Sequence, residues 1–281
     1  MTLEERVQKR TAQLAQANTA IQDLNARLKA ENLSIAARLD LVRQIQERIL
    51  PKPTELNSLR DLEVAAYMAA AEDVGGDYYD VLVTEEGVTI AMGDVTGHGL
   101  ESGLIMLMTQ TAVRTLTELG QISPQIFLNT LNRTLYKNIQ RLDTYKNLTL
   151  VLLHYNQGQV KITGQHEEVV IMRANGTVER VDTIDLGFPL GLEPDILAFL
   201  RTHTVTLEPA DGLVLFSDGI VEAMDGAKQL YGFDRFCGQL QRHWNRPVVE
   251  IEAAIVADVQ AHLGGEMPLD DMSLLILKRL S

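Results

Sequence analysis

Four short segments of the sequence carry aspartates where an apolar run meets a turn. They are Val74-Gly75-Gly76-Asp77-Tyr78-Tyr79-Asp80, Ala91-Met92-Gly93-Asp94-Val95-Thr96-Gly97-His98-Gly99, Leu215-Phe216-Ser217-Asp218-Gly219 and Leu269-Asp270-Asp271-Met272-Ser273. Each puts an acid at the edge of a predicted strand, and the glycines in three of them let a cation or a phosphate approach the backbone. Hard divalent cations such as Mg²⁺ and Mn²⁺ prefer carboxylate, carbonyl and water oxygens. Aspartates that converge from strand ends therefore predict an all-oxygen cation site.

Each aspartate taken alone has a simpler explanation, because most Gly-Asp turns only reverse the chain, and their aspartate caps the next helix. The ordered set is far more specific than any one member. Taken in this order, the four segments resemble the metal-dependent protein phosphatases of the type 2C superfamily. The resemblance is to the bacterial branch of sporulation protein E-like and sigma-regulator U-like serine/threonine phosphatases, and it extends from Asp61 to the C-terminus.

The resemblance implies a ligand set for two Mg²⁺ or Mn²⁺ ions. The expected ligands are four carboxylates and one backbone carbonyl, namely Asp77, Asp94, Asp218, Asp270 and the carbonyl of Val95. Asp271 is adjacent to Asp270, and at most one of the two is expected to contact a metal; the family pattern favours Asp270. Two such ions would lower the pKa of a shared water and direct it in line at phosphorus.

His98 is a candidate general acid in the second segment. An unperturbed imidazole titrates near neutrality, so His98 could donate a proton to the leaving alkoxide. The alternative is that it only hydrogen-bonds the turn, and the sequence leaves both open. Four further acids are weaker candidates for outer positions, each with a simple explanation as a turn or surface residue: Asp73, Asp80, Glu222 and Asp225.

The sequence departs from the family pattern in two places. No arginine lies between Leu62 and Asp73, where eukaryotic members carry a phosphate-binding arginine, so phosphate binding is left to metals and water. The bacterial branch often reads Gly-His-Asn-Pro-Pro where this chain has Gly164-Gln165-His166-Glu167-Glu168. His166 beside two glutamates is disfavoured as a metal site, because no partner stands at a regular ligand spacing.

The chain is acidic, with 25 Lys plus Arg against 38 Asp plus Glu and a net charge of −13. It has no dense basic cluster, so nucleic acid is not an expected partner. This charge would repel a phosphorylated substrate, and bound divalent cations would supply the missing positive charge. No apolar stretch reaches the roughly 18 residues that cross a bilayer, and the charged N-terminus is unlike a signal peptide, which predicts a cytoplasmic protein. The lone Cys237 excludes an internal disulfide.

Apolar residues repeat at seven-residue intervals through the first 50 residues. The positions are Val7, Leu14, Ile21, Leu28, Ile35, Val42 and Ile49, with an interrupted second stripe that includes Leu3 and Leu24. This pattern is typical of a coiled-coil seam and predicts a parallel homodimer. The alternative is one amphipathic helix lying on its own domain, although so long a helix would need a long apolar groove. Linkers of this kind follow sensory modules, so the chain is either a fragment of a larger sensor protein or a standalone output unit.

Pro51 and Pro53 end this helix, so the predicted organisation is a helix over 1–50, a linker over 51–60 and a phosphatase domain over 61–281. Strands are predicted at 62–71, 79–84, 88–94, 147–155, 159–163, 168–173, 177–181, 203–207, 212–216 and 272–278, and helices at 100–119, 123–139, 232–244 and 248–263. Strand runs separated by helix pairs favour an α+β layered sandwich over a doubly wound sheet. The resemblance implies an αββα form, with two central, mostly antiparallel sheets flanked by helices.

The leading hypothesis is a Mg²⁺- or Mn²⁺-dependent serine/threonine phosphatase whose coiled coil dimerises it and relays a signal from an upstream sensor. The resemblance implies that the substrate is a phosphorylated anti-sigma-factor antagonist protein. An alternative from another class is a catalytically weak relative that acts as a dimeric signalling scaffold; the intact ligand set favours activity. A nucleotide-binding enzyme is disfavoured, because the chain has no Gly-x-x-x-x-Gly-Lys loop.

Overall fold

A computed structural model gives the fold of the chain and describes residues 2–57, 59–71, 74–120 and 122–280. The chain begins with one long helix, α1, over Leu3–Ile49. Thr2 and Glu5 cap it reciprocally: the Glu5 amide donates to Thr2 Oγ1 at 3.4 Å, and the Thr2 amide donates to Glu5 Oε2 at 2.8 Å. The helix ends just before Pro51, because proline has no amide hydrogen to continue the hydrogen-bond ladder of the helix. The predicted long N-terminal helix is therefore confirmed.

The strands and helices that follow alternate in runs. In chain order they are α2 (Pro53–Leu56), β1 (Leu62–Ala69), β2 (Tyr78–Thr84), β3 (Gly87–Val95), α3 (Leu100–Glu118), α4 (Pro124–Leu142), β4 (Leu148–Asn156), β5 (Gln159–Gln165), β6 (Val169–Met172), β7 (Val178–Val181), β8 (Thr202–Thr206), β9 (Gly212–Phe216), α5 (Asp218–Val221), α6 (Phe233–His243), α7 (Val248–Leu263) and β10 (Met272–Arg279). The order of strand runs and helix pairs agrees with the sequence prediction.

The strands form two sheets in which paired neighbours run antiparallel. The first has the order β1-β10-β9-β6-β7 and the second the order β2-β3-β4-β5-β8. Side chains alternate between the two faces of a strand, so every second residue can enter the space between the sheets. Buried apolar residues from both sheets meet in one cluster, which includes Leu62, Ile90, Leu153, Ile171 and Leu275.

Helices cover the outer face of each sheet. The cluster that joins α3 and α4 to the second sheet includes Ile105, Leu128 and Leu152. The cluster that joins α6 and α7 to the first sheet includes Phe236 and Ile251. The two sheets and their flanking helices confirm the predicted α+β sandwich of αββα form.

Some element bounds differ from the sequence prediction by one to three residues, such as the end of α4 at Leu142, and two further differences lie on either side of β1. β1 ends at Ala69 rather than at Ala71, and the Ala71 amide donates to Asp271 Oδ1 at 2.8 Å instead of extending the strand. The predicted linker contains the helical turn α2, which has Pro53 in its first turn. The Lys52 amide donates to the Glu55 side chain at 2.8 Å and so caps this turn.

Helix α1 is exposed over most of its length and packed near its end. Predicted seam residues such as Leu14, Ile21 and Leu28 are exposed, whereas Gln46 is buried and the helix contacts α3. The exposed stripe keeps the seven-residue period that a coiled coil requires, and the coiled coil stays a prediction. Among the described helices, α1 included, none combines the length and the apolar character that crossing a bilayer requires.

Candidate metal centre

Strand β3 delivers Asp94 and Val95 to the end of the second sheet, next to the segment that precedes β2. The Val95 amide donates to the Gly76 carbonyl at 3.3 Å, and the Gly99 amide donates to the Val74 carbonyl at 3.1 Å. The first two acidic segments are therefore hydrogen-bonded directly to each other.

Gly76 shows how closely these two segments approach. A Cβ at this position would lie 2.7 Å from the Val95 carbonyl oxygen and 3.1 Å from Asp94 Oδ1. A backbone oxygen at that distance leaves no room for a side chain, so only glycine fits here. The carbonyl oxygen of Val95 and a carboxylate oxygen of Asp94 thus face the same small space beside the backbone that carries Asp77.

Asp77 is buried just before β2, with 3% of its surface exposed. Its Oδ2 accepts hydrogen bonds from the hydroxyls of Ser217, at 2.8 Å, and Ser273, at 2.6 Å. Burial raises the pKa of Asp77 well above its usual range, and the nearby Asp94 carboxylate raises it further. Sequence reasoning did not identify the two serines, although each stands within two residues of an aspartate in one of the acidic segments.

Asp270 and Asp271 have different surroundings. Asp271 is buried, and its carboxylate accepts hydrogen bonds from the amides of Ala71, at 2.8 Å, and Gly76, at 2.6 Å. A Cβ on Gly75 would lie 2.5 Å from Asp271 Oδ2, so this glycine makes room for the contact. Asp270 is exposed, and its Oδ1 accepts from the Asp271 amide at 2.8 Å. Asp271 is therefore engaged in holding the loop before β2, and the choice of Asp270 as the ligand stays a prediction.

Asp218 begins α5 and belongs to a group of mutually repelling carboxylates. Burial raises the pKa of Asp218, and the charges of Asp270 and Glu222 raise it further. Burial also raises the pKa of Asp94, to about 7, with contributions from Asp218 and Asp270, whereas the ammonium of Lys146 lowers it. A cation placed among such carboxylates would stabilise their charged forms.

These residues suit a hard divalent cation by their chemistry. The donors that face one another are carboxylate and carbonyl oxygens, and their mutual repulsion calls for positive charge. Across residues 2–57, 59–71, 74–120 and 122–280, however, no group of three or more His, Cys, Asp or Glu side chains could hold an ion in its present arrangement. The carboxylates face one another without closing on a common point, and the ligand set stays a prediction.

The weaker acidic candidates have other partners or lie outside the description. Asp80 is buried, and its Oδ2 pairs with Arg114 Nε at 3.1 Å, which ties β2 to α3. Asp225 Oδ1 accepts hydrogen bonds from two amides of its own loop, at 2.9 and 2.8 Å. Glu222 is exposed at the end of α5, and Asp73 lies outside the described residues. Asp80 and Asp225 therefore stabilise the fold locally.

The two histidines singled out in the sequence lie in different environments. His98 is exposed in the turn Gly97–Gly99, whose two glycines have φ values of 68° and 94°. His166 Nδ1 lies 2.9 Å from Thr149 Oγ1, and burial lowers the pKa of this imidazole to about 4. Glu168 forms a salt bridge with an arginine of β7. His166 and Glu168 thus serve separate contacts.

Known proteins share both sequence and fold with this chain. The family model described as stage II sporulation protein E (SpoIIE) matches residues 84–280. Phosphoserine phosphatase RsbU of Bacillus subtilis (strain 168) is 27% identical over 199 residues, which cover 69% of this chain and 56% of RsbU. The SiaA-PP2C domain of Pseudomonas aeruginosa has a TM-score of 0.76 at 24% identity, covering 90% of this chain and 99% of that domain.

A third likeness is to a structure that contains metal. The catalytic domain of serine threonine protein phosphatase PstP, in complex with two manganese ions, has a TM-score of 0.58 at 13% identity and covers 79% of this chain and 99% of that one. At such identities, structural likeness shows the fold alone. The chain spans about half the length of the curated relatives it matches, 56% for RsbU and 41% for protein IcfG of Synechocystis sp..

Proposed function

The chain belongs to the stage II sporulation protein E (SpoIIE) family, and we propose that it is a phosphatase that hydrolyses phosphoserine or phosphothreonine on a partner protein. The observation that carries this proposal is the approach of the Val95 carbonyl and the Asp94 carboxylate to one space beside the Asp77 loop. The type of substrate follows RsbU, which is named a phosphoserine phosphatase.

The proposed ligands of Mg²⁺ or Mn²⁺ are Asp77, Asp94, Asp218, Asp270 and the carbonyl of Val95. Two divalent ions held by these groups would neutralise the phosphoryl oxygens and activate a water for attack. The manganese ions in the PstP structure support this choice of cation. The protein's own contribution is to orient Asp77 through two serine hydroxyls and to hold its loop through Asp271. His98 is proposed to donate a proton to the leaving oxygen.

The test is hydrolysis of p-nitrophenyl phosphate and of a phosphoserine peptide by the purified protein. We expect turnover that requires added Mn²⁺ or Mg²⁺, disappears on chelation and returns when the ion is restored, because Mg²⁺ keeps much of its water shell in such sites and is held loosely. Undiminished turnover after exhaustive chelation would contradict the metal mechanism. No turnover with either ion would leave the catalytically weak scaffold as the better function.

The proposed partner is a phosphorylated anti-sigma-factor antagonist protein, and the proposed location of both proteins is the cytoplasm. This step rests on the family and on the name of RsbU. A folded partner contacts more surface than a peptide, so we expect the phosphoprotein to be hydrolysed with higher kcat/KM than a phosphopeptide of the same local sequence. Equal kcat/KM values would argue against a folded protein substrate.

We further propose that α1 forms a parallel coiled coil with a second copy and carries a signal from an upstream sensor to the metal centre. Gln46 is buried near the end of α1, and its Nε2 donates to the Gly75 carbonyl at 3.0 Å. A Cβ on Gly103 of α3 would lie 2.9 Å from the same Nε2, so α1 fits closely against α3. A rotation of α1 would therefore act directly on the loop that carries Asp77.

Lysines in the seam test this regulatory proposal. Replacing Leu14, Ile21 and Leu28 together by lysine places like charges across the seam and should convert a dimer to a monomer. The matched control replaces Ala12, Thr19 and Ala26, which lie away from the seam, by lysine. Light scattering reports mass, and hydrolysis of a phosphoprotein reports turnover. A monomer with unchanged kinetics would reject the coupling, and a wild-type chain that is already monomeric at micromolar concentration would reject the coiled coil.

A further inference from the structure

We propose that Lys146 is the residue that binds the phosphoryl group of the substrate beside the metal centre. The inference rests on the proposed phosphatase function and adds a protein cation to it. Phosphate binding in this chain poses a problem that the acidic segments do not solve by themselves. The net charge is −13, and the segment from Leu62 to Asp73 contains no arginine that could bind a phosphate. A positive side chain at another position would fill this gap.

Lys146 lies directly over the turn that follows Asp94 and Val95. It stands two residues before β4, whose Leu148 pairs with Val95 of β3. Beyond this pair the two chains stay together, because the Thr96 amide donates to the Asn147 carbonyl at 2.9 Å. The Nζ atom of Lys146 donates to the Thr96 carbonyl at 2.8 Å. The ammonium is thus anchored one residue beyond the proposed ligand pair.

Gly97 presents no side chain to this ammonium. A Cβ at Gly97 would lie 3.4 Å from Lys146 Nζ, and the position has a positive φ of 68° that favours glycine. On the other side of the turn, the Gly97 carbonyl oxygen lies near Gly76, next to the Val95 carbonyl and Asp94 Oδ1. Lys146 therefore borders the same group of oxygens that is proposed to hold the metals.

Lys146 acts on Asp94 through its charge, which lowers the pKa of that carboxyl, but its ammonium pairs directly with no carboxylate of the described residues. Several arginines of the chain form salt bridges with acids, among them Arg43, Arg114, Arg173, Arg180 and Arg235. Lys146, by contrast, forms no salt bridge with any residue that the structure describes, and its hydrogen bond goes to a neutral carbonyl. Glu101, in the first turn of α3, accepts a hydrogen bond from Thr144 Oγ1 at 3.1 Å. An ammonium has three donors, so Lys146 can keep the Thr96 contact and still bind a phosphoryl oxygen.

Lysine suits this role because it binds phosphate as a compact point charge on a flexible stem. The phosphoryl group carries negative charge before and after hydrolysis, so the same contact should hold both the substrate and the inorganic phosphate product. The alternative is that Lys146 has a structural role only, in which its hydrogen bond to Thr96 holds the turn against the start of β4. The two readings differ in what a neutral substitution would weaken: phosphate binding in the first, folding in the second.

The test measures binding of inorganic phosphate by equilibrium dialysis in the presence of Mg²⁺, together with KM and kcat for a phosphate ester. Lys146→Met should weaken phosphate binding and raise KM by about ten- to a hundredfold, the loss expected for one charge-assisted hydrogen bond. Lys146→Arg should retain most of both, because it keeps the charge. Lys137→Met, on the exposed face of α4, removes the same net charge elsewhere and should change neither. The Mg²⁺ concentration for half-maximal activity should not rise in any of the four proteins, because removing a cation that acts on Asp94 does not weaken binding of Mg²⁺.

Phosphate binding by Lys146→Met equal to that of the wild type would overturn the proposal. If the thermal midpoint of this variant were lowered as well, Lys146 would have a structural role only. If Lys146→Met does not fold, acetylation of the wild-type protein decides: phosphate with Mg²⁺ should protect Lys146 but not Lys137, and equal labelling of Lys146 with and without phosphate would reject the contact. Failure of the proposed function is separate, because it would show as phosphate binding without hydrolysis in the wild type.

Discussion

Buried carboxylates at the two ends of strand β9 accept hydrogen bonds from different kinds of donor. Before the strand, Asp211 is 3% exposed and accepts hydrogen bonds from Arg173 Nη1, at 2.8 Å, and from two backbone amides, at 2.7 and 3.0 Å. After the strand, Ser217 donates to Asp77, which is also 3% exposed. The second donor to Asp77 is another neutral hydroxyl, that of Ser273. The two carboxylates are therefore equally buried, but Asp211 has a cationic side chain as a donor and Asp77 has neutral hydroxyls.

The pKa values of the two carboxylates move in opposite directions for this reason. Burial raises the pKa of Asp211, but the hydrogen bonds from Arg173 and the two amides outweigh it, so the pKa is lowered overall. Burial raises the pKa of Asp77, and the charge of Asp94 adds to the rise. A buried acid without a cation is costly, so its persistence at one end of β9 is typical of a site whose positive charge comes from a ligand.

The largest expected difference is in turnover, and it is tested at Asp94, the carboxylate of β3 whose charge raises the pKa of Asp77. Asp94→Asn should keep the fold and lower metal-dependent kcat on the order of a thousandfold or more, because losing a residue that organises the metals removes several kcal/mol of transition-state stabilisation. Asp211→Asn is the matched control. It should have the wild-type kcat when it is assayed at a temperature well below its midpoint of thermal unfolding. Normal turnover by folded Asp94→Asn, or equal losses of turnover in both variants, would remove the functional distinction between Asp94 and Asp211.

Stability should respond in the reverse order. Asp211→Asn leaves Arg173 with Glu179, at 2.7 Å, as its remaining carboxylate partner and should lower the free energy of unfolding by about 2–4 kcal/mol, as for a broken buried ion pair. Urea unfolding at pH 7 measures this loss. The same measurement on metal-free Asp94→Asn should show no loss. A change of under about 0.5 kcal/mol in Asp211→Asn, the range of ordinary surface substitutions, would mean that the ion pair is unimportant.

The smallest effect separates Asp94 from Asp211 by the sign of the pH dependence that each gives to the stability of the metal-free protein. The folded pKa of Asp94, about 7, lies above the ordinary 3.8, so the stability that Asp94 contributes is present at low pH and is lost as the pH rises to about 7. The pKa of Asp211 is lowered, so its contribution is present above its unfolded pKa and is lost as the pH falls through the folded value. At pH 8, Asp94→Asn should therefore be more stable than the wild type by about 1–3 kcal/mol, allowing for partial exposure.

Urea unfolding of the two proteins in a chelator, from pH 4 to pH 8, measures this difference. Parallel curves for wild type and Asp94→Asn would show that repulsion at Asp94 does not strain the metal-free fold.

The secondary structure was predictable wherever local patterns govern it. β9, over Gly212–Phe216, and α7, over Val248–Leu263, have the predicted bounds, because apolar runs and turn residues mark them in the sequence. The end of β1 was not predictable, because the Ala71 amide donates its hydrogen bond to Asp271, which is 200 residues away in sequence. The fit of Gln46 against Gly75 likewise depends on where α1 meets α3, which no periodicity reveals.

The sequence by itself determined the oxygen donors, their order along the chain and the strand ends that carry them, because these are local properties. Only the tertiary structure decided which acids stay available. Asp271 is held by the Gly76 amide, 195 residues away, and Asp77 by Ser273, 196 residues away, whereas Asp270 is left exposed. The physical reason is that a carboxylate's partners, and hence its pKa, depend on sheet register and burial, which bring together segments that are distant in sequence.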